Sequence, residues 1–133
     1  MPFVVDTSVV VKWAAAEPDR DAAVALIGQH LMAPDLLCAE LAHALSKKAR
    51  AGEMTSVQVL AAQPIIESLI DLRPAAPFSR RALEISLQLG HAAGDCFFLA
   101  LAEAAELTMV TADLKLVARC VGTAFADLVQ PLT

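Results

Sequence analysis

The sequence has no apolar stretch long enough to cross a bilayer, although 57% of its 133 residues are hydrophobic and its mean hydropathy is +0.58. A membrane-spanning helix needs about 20 consecutive apolar residues, and the richest stretch, residues 96–110, contains Glu103 and Glu106. The first residues lack the basic segment of a secretory signal, and Asp6 interrupts their apolar run. We therefore expect no membrane contact, and we expect the surplus apolar residues to be buried against another chain, as in a homodimer.

Cysteine and positive charge are also scarce. Three widely spaced cysteines, at positions 38, 96 and 120, are typical of reduced thiols in a cytoplasmic protein. Ten Lys and Arg residues against fifteen Asp and Glu residues give a formal net charge of −5. This charge argues against binding of nucleic acid over a broad basic surface, but it does not exclude an enzyme whose acids surround a metal.

Repeats, low-complexity tracts and linkers are absent, so residues 1–133 are predicted to form a single domain. Apolar segments predict strands at 3–5, 31–33, 70–72, 108–111 and 124–129. Helical spacing predicts helices at 7–16, 20–29, 35–50, 54–68, 79–89, 94–106 and 114–120, and Pro64 should either start a new helix or kink the fourth. Strands that alternate with helices form parallel sheets covered on both faces. The predicted class is therefore α/β, a three-layer domain whose central sheet of four or five short parallel strands is flanked by helices.

The first predicted strand ends in Asp6, and the hydroxyl residues Thr7 and Ser8 follow directly. Ligands of open parallel sheets bind beyond the carboxyl ends of the strands. Three further acids, from later elements, are predicted to reach the same edge: Glu40, Asp95 and Asp113. Taken singly, these three have ordinary alternatives: a solvated helix face, a favourable helix dipole and a helix N-cap, respectively.

Several carboxylates that converge in one cleft repel each other, and a hard divalent cation offsets that repulsion. Mg²⁺ or Mn²⁺ prefers oxygen ligands, lowers the pKa of its bound water and orients a phosphodiester for attack. The hydroxyls of Thr7, Ser8 and Thr111 can hold the carboxylates in place through hydrogen bonds. The pattern therefore predicts a metal-dependent phosphodiesterase.

Four short segments carry a more specific signal: residues 4–13 (VVDTSVVVKW), 34–40 (PDLLCAE), 95–103 (DCFFLALAE) and 111–116 (TADLKL). In order and spacing they resemble PIN-domain proteins, and more narrowly the VapC-type ribonuclease toxins of bacterial toxin–antitoxin pairs. The resemblance implies a PIN-like three-layer domain, a Mg²⁺ or Mn²⁺ site, endoribonuclease activity, homodimers, and inhibition by a cognate antitoxin protein.

The resemblance also implies the roles of particular residues. The family's catalytic acidic quartet matches Asp6, Glu40, Asp95 and Asp113, of which we predict that Asp6, Asp95 and Asp113 bind the metal. Its supporting hydroxyls match Thr7 or Ser8, and Thr111. The chain departs from the family at His43, where many relatives have Asn, and at Gly94 and Phe98, where Tyr is common. These departures leave local shape and substrate choice open.

The few basic residues restrict the expected substrate. Lys47 shares a helix face with Glu40, and Lys12 lies one turn after Ser8, so both are candidates to contact RNA phosphates. A few local contacts suit an exposed loop of a structured RNA more than a duplex.

Other interpretations fit less well. A haloacid-dehalogenase-type phosphatase needs a second acid at the position of Ser8, and a response-regulator receiver needs paired acids near the first strand. A zinc site formed by Cys38, His43 and Cys96 lacks the usual short spacing. The remaining alternative is a non-catalytic PIN-like module that acts by binding protein or RNA.

Overall fold

A computed structural model describes residues 2–133 of the protein, and its centre is a five-stranded parallel sheet. The strands are β1 (Phe3–Val5), β2 (Leu31–Pro34), β3 (Asp71–Arg73), β4 (Met109–Thr111) and β5 (Val129–Pro131), arranged in the order β3-β2-β1-β4-β5. All four strand pairs are parallel. The predicted α/β class, with a central parallel sheet flanked by helices, is confirmed.

Seven α-helices connect and cover the strands in the described part of the chain. They are α1 (Thr7–Val10), α2 (Arg20–Val24), α3 (Leu36–Arg50), α4 (Ser56–Ser68), α5 (Ser79–Leu89), α6 (Ala93–Ala105) and α7 (Leu114–Cys120). Short 3₁₀ turns occupy Val11–Trp13, Ala76–Phe78 and Ala126–Leu128. A capping box formed by Thr55 and Gln58 starts α4, and Gly90, with φ of 64°, ends α5 in the left-handed conformation.

Three predicted boundaries were wrong. The helix predicted at 7–16 is an α-helix only to Val10 and continues as a 3₁₀ turn at 11–13. The helix predicted at 20–29 ends at Val24. Pro64 lies inside α4 and starts no new helix; it is exposed, so its ring is accommodated on the solvated side of that helix. The strand predicted at 124–129 lies at Val129–Pro131. A proline at its end is tolerated there because β5 is an edge strand.

The sheet register decides which strand ends lie next to each other. Val4 pairs with Met32 on one side and Met109 on the other, and Val5 pairs with Val110. The carboxyl ends of β1 and β4 therefore lie side by side. The most buried helix is α6, which contacts β1, β2 and α5. No single helix within residues 2–133 has the length and apolarity to span a bilayer; only the bent pair 76–89 and 93–105 meets those criteria jointly.

Candidate functional site

A groove of about 430 Å³ lies at the carboxyl ends of β1 and β4. Its lining contains all four predicted acids, two of the predicted hydroxyl residues and two further residues of α3: Asp6, Thr7, Ser8, Ala39, Glu40, His43, Asp95 and Asp113. The acids come from four different parts of the chain, and the parallel sheet brings them together. A larger groove of about 810 Å³ elsewhere is lined mainly by alanines and aliphatic side chains and holds none of the predicted acids.

Asp6 is buried and is held by two hydroxyls. Ser8 Oγ donates to Asp6 Oδ2 at 2.6 Å, and Thr111 Oγ1 donates to the same oxygen at 2.8 Å. The backbone N–H groups of Ala112 and Asp113 donate to these two hydroxyl oxygens, at 3.0 Å each. Each hydroxyl therefore accepts from the backbone beyond β4 and directs its own proton to Asp6.

Burial raises the pKa of Asp6. The hydroxyls of Ser8 and Thr111 lower it in part, and the negative charge of Asp95 raises it further. The net pKa lies above the usual 3.8 of an aspartate. The ionised carboxylate is therefore under electrostatic strain that a nearby cation would relieve.

Glu40 of α3 reaches the same groove and is held by Thr7, whose Oγ1 donates to Oε1 at 2.6 Å. Burial raises the pKa of Glu40, and the charges of Asp6 and Asp95 act in the same direction, while the Thr7 hydrogen bond opposes them. A Cβ added at Gly94 would lie 3.4 Å from Glu40 Oε2. The glycine at this position therefore leaves the start of α6 open beside the carboxylate.

The two carboxylate oxygens of Asp113 have different partners, one in the backbone of α7 and one in the groove. Its Oδ1 accepts from the backbone N–H groups of Lys115 and Leu116, at 3.0 and 3.3 Å, and so caps α7. Its Oδ2 lies 3.6 Å from His91 Nε2. The N-cap alternative is correct, and it does not remove Asp113 from the groove.

His91, which precedes α6, was not predicted as a site residue. Its Nε2 lies 2.6 Å from Asp95 Oδ2, and ligand atoms of His91, Asp95 and Asp113 all lie within 4.8 Å of one another. This group contains two of the three predicted metal ligands. The third, Asp6, lines the same groove but does not belong to the group. The only sequence signal was a histidine four residues before an acid at the start of a helix.

The two lysine candidates have different surroundings. Lys12 is buried, and its Nζ lies 2.7 Å from Glu17 Oε2; Lys48 binds the other oxygen of Glu17 at the same distance. Hydrogen bonds from these two lysines lower the pKa of Glu17. Because Lys12 is buried, paired and outside the groove lining, its position argues against contact with RNA phosphates. Lys47 is exposed and has no ion pair within residues 2–133.

The structure also gives no support to the zinc site that the sequence analysis disfavoured. Cys38 donates from Sγ to Glu67 Oε1 at 3.2 Å, and Cys96 is buried. The metal-compatible group within residues 2–133 includes no cysteine.

A parallel α/β domain with a groove of acids at the carboxyl ends of β1 and β4 is the arrangement expected of the PIN class. Residues 3–120 match the PIN domain family, and the chain belongs to this family. Ribonuclease VapC1 of Mycobacterium tuberculosis (strain CDC 1551 / Oshkosh) is 38% identical to it over 88 residues, 65% of this chain. The matched stretch also spans 65% of the length of that relative.

Two solved structures share the fold. VapBC2 from Rickettsia felis, bound to a DNA fragment from its promoter, has a TM-score of 0.68 at 17% identity, covering 100% of both chains. Mycobacterium tuberculosis VapC20, described as a toxin that cleaves the sarcin–ricin loop, has a TM-score of 0.63 at 15% identity, covering 84% of this chain and 87% of its own.

Proposed function

We propose that this protein is a Mg²⁺- or Mn²⁺-dependent endoribonuclease and the toxin component of a type II toxin–antitoxin pair. The observation that carries the proposal is the groove in which β1, α3, α6 and the end of β4 bring together four acids: Asp6, Glu40, Asp95 and Asp113. Membership of the PIN family and similarity to a VapC ribonuclease support the same assignment.

The donor set of the groove suits a hard divalent cation. The converging ligand atoms are carboxylate oxygens, which Mg²⁺ and Mn²⁺ prefer. Burial and mutual repulsion raise the pKa values of Asp6 and Glu40, and a cation between the carboxylates would relieve that repulsion. Asp6, Asp95 and Asp113 would hold the ion. When bound, such an ion lowers the pKa of its water and polarises a phosphodiester.

The chain's own residues prepare the groove for this chemistry. Ser8 and Thr111 fix one oxygen of Asp6, and Thr7 fixes one oxygen of Glu40. The acids therefore need little reorganisation when substrate arrives. Glu40 completes the catalytic quartet beside the three ligands.

We expect the substrate to be an exposed loop of a structured RNA. Non-specific affinity for a duplex comes from many neutralised phosphates, and a chain with net charge −5 has few local cations to supply. Lys47 lies on α3, the helix that carries Glu40 and His43 into the groove, and its free ammonium group suits a single phosphate. The loop cleavage named for the similar VapC20 supports this expectation.

The proposed partners are an antitoxin and a second copy of the chain. The resemblance to VapC-type toxins and the structural similarity to VapBC2 support an antitoxin partner, and an acidic groove suits a basic residue from such a partner. Large apolar side chains stand exposed on α4 and α5, among them Val57 (78%), Leu60 (73%) and Leu87 (76%). We expect these side chains to be buried against a second copy of the chain, so light scattering at micromolar concentration should report a dimer.

The decisive experiment is the Asp6→Asn variant assayed on RNA with and without Mg²⁺ or Mn²⁺. Cleavage should be abolished while the far-ultraviolet circular dichroism stays that of the wild type, because the change keeps size and removes a ligand charge. Asp127→Asn, an exposed acid outside the groove, is the matched control and should cleave normally. Undiminished metal-dependent cleavage by Asp6→Asn would contradict the proposal. A wild type that binds RNA without cleaving it in either metal would favour the binding-module alternative.

A further inference from the structure

His91 is buried, with 9% of its surface exposed, and its two ring nitrogens face two different charged residues. Nε2 lies 2.6 Å from Asp95 Oδ2. Nδ1 lies 3.1 Å from Nη1 of Arg119, in the last turn of α7, and the same guanidinium donates to the backbone oxygen of Gly90. The imidazole is therefore held on one side by an acid four residues later in the chain and on the other by an arginine 28 residues later.

Arg119 decides which ring nitrogen carries the proton. A guanidinium has five N–H donors and no acceptor, so its contact with Nδ1 requires that nitrogen to accept. In a neutral imidazole the proton then resides on Nε2, which can donate to Asp95. Only this tautomer satisfies the contacts at both nitrogens. The other tautomer and the imidazolium both carry a hydrogen on Nδ1, where the guanidinium needs an acceptor.

We propose that His91 is a positioning residue for Asp95, fixed as its Nε2–H tautomer by Arg119, and that it is not itself a metal ligand. A histidine binds metal through a nitrogen lone pair, and here Nε2, the nitrogen nearest the acids, carries hydrogen. The short distances among His91, Asp95 and Asp113 therefore describe a supported carboxylate site. The inference rests on the proposed metal-dependent function.

The two acids beside His91 are not equivalent in this arrangement. Nε2 is within hydrogen-bond distance of Asp95 Oδ2 and lies 3.6 Å from Asp113 Oδ2, which is too far for a good hydrogen bond. Asp113 is oriented by the α7 backbone instead. Asp95 thus depends on His91 for its orientation, and the remaining oxygen, Oδ1, has no hydrogen-bond partner within residues 2–133.

Two substitutions at His91 separate positioning from ligation. His91→Leu removes the donor, and loss of such a supporting partner typically weakens metal binding about 10–100-fold. His91→Gln places an amide N–H near the position of Nε2 and should recover most of that loss. Mn²⁺ titration followed by electron paramagnetic resonance measures the affinity without reference to cleavage. His30→Leu, which removes an exposed histidine paired with Asp71, is the matched control and should leave Mn²⁺ affinity unchanged.

Long-range ¹H–¹⁵N spectra of the metal-free protein test the tautomer directly. The wild type should show His91 with a protonated Nε2 and an unprotonated Nδ1, and Arg119→Met should lose this single-tautomer signature. An Nδ1–H tautomer in the wild type would overturn the inference. So would equal Mn²⁺ affinities for wild type and His91→Leu, or a His91→Gln variant as impaired as His91→Leu while retaining the wild-type fold.

The outcomes also distinguish this inference from the proposed function. A wild type that binds Mn²⁺ with the predicted dependence on His91, yet cleaves no RNA, would contradict the nuclease assignment and leave the positioning role intact. A wild type that binds no Mn²⁺ would refute the metal site and the role assigned to His91 with it.

Discussion

Thr111→Val should destabilise the protein by an amount that depends on the charge of Asp6. Thr111 is fully buried, and its hydroxyl donates to Asp6 Oδ2 at 2.8 Å while it accepts from the Asp113 N–H at 3.0 Å. Valine has nearly the same shape, so the substitution removes the hydrogen bond without opening a cavity. The Asp113 N–H belongs to a partly exposed residue, and water can replace its lost acceptor.

The magnitude follows from the type of hydrogen bond. A hydrogen bond to a charged group contributes about 1.5–3 kcal/mol to stability, and a bond between neutral groups contributes about 1 kcal/mol. Thr111→Val should therefore cost about 1.5–3 kcal/mol in the wild type and about 1 kcal/mol in the Asp6→Asn background. The coupling between the two sites is the difference between these costs.

Urea unfolding at pH 7 in EDTA measures all four proteins of this double-mutant cycle. The midpoint should shift at a constant denaturant slope, which shows that stability alone has changed. Thr108→Val, at a neighbouring threonine with no side-chain hydrogen bond within residues 2–133, is the control and should fall within about 0.5 kcal/mol of the wild type. A cost below that threshold for Thr111→Val, or the same cost in both backgrounds, would refute the role assigned to this hydroxyl.

Three further predictions concern charge and space in the groove. Lys47→Ala should weaken RNA binding in fluorescence titrations by about tenfold, the effect of about 1.4 kcal/mol, without changing Mn²⁺ affinity; equal binding would contradict the phosphate contact. Burial raises the pKa of Asp6 in the folded protein above the usual 3.8. The contribution of protonated Asp6 to the stability of the wild type is therefore fully present below pH 3.8 and is lost as the pH rises through the pKa of the folded state. The difference in melting temperature between metal-free Asp6→Asn and metal-free wild type should therefore increase between pH 4 and pH 8. A difference that stays constant over this range would contradict the prediction. Gly94→Ala should retain cleavage, since its Cβ would lie 3.4 Å from Glu40, whereas Gly94→Leu should raise KM by filling the groove; equal KM values would argue against this open wall.

The sequence predicted those parts of the fold and site that local signals specify. The strand before Asp6 is short and β-branched, and a parallel sheet brings the ends of its central strands together, so the meeting of Asp6 with Thr111 and Asp113 was foreseeable. The predicted bounds of β5 were wrong because residues 126–128 form a 3₁₀ turn and the strand starts only at Val129. Pro131 is tolerated at the end of β5 because this is an edge strand.

The position of Lys12 shows how a small change in helix geometry alters a prediction. In a regular α-helix, Ser8 and Lys12 would share a face, since residues four apart are neighbours. The chain instead tightens into a 3₁₀ turn at Val11–Trp13, with three residues per turn. Lys12 then pairs with Glu17, and Glu17 also pairs with Lys48 of α3. These two ion pairs link the 3₁₀ turn to that helix.

His91 was beyond prediction because its role depends on a contact made 28 residues later in the chain. A histidine four residues before an acid is too common a spacing to indicate function. What distinguishes His91 is the guanidinium of Arg119, and its position depends on how α7 packs after β4. Long-range packing of this kind leaves no periodic pattern in the sequence.

The supports of the four acids follow a common physical requirement. Carboxylates that repel each other would rotate apart unless each were held by a donor that is itself fixed. The donors here are two hydroxyls tied to the backbone beyond β4, the hydroxyl of Thr7, an imidazole tied to Arg119, and the first N–H groups of α7. In each acid these hydrogen bonds hold a single carboxylate oxygen. The protein therefore fixes the direction of its carboxylates through the fold, and this preorganisation is what a cation-binding site needs before the cation arrives.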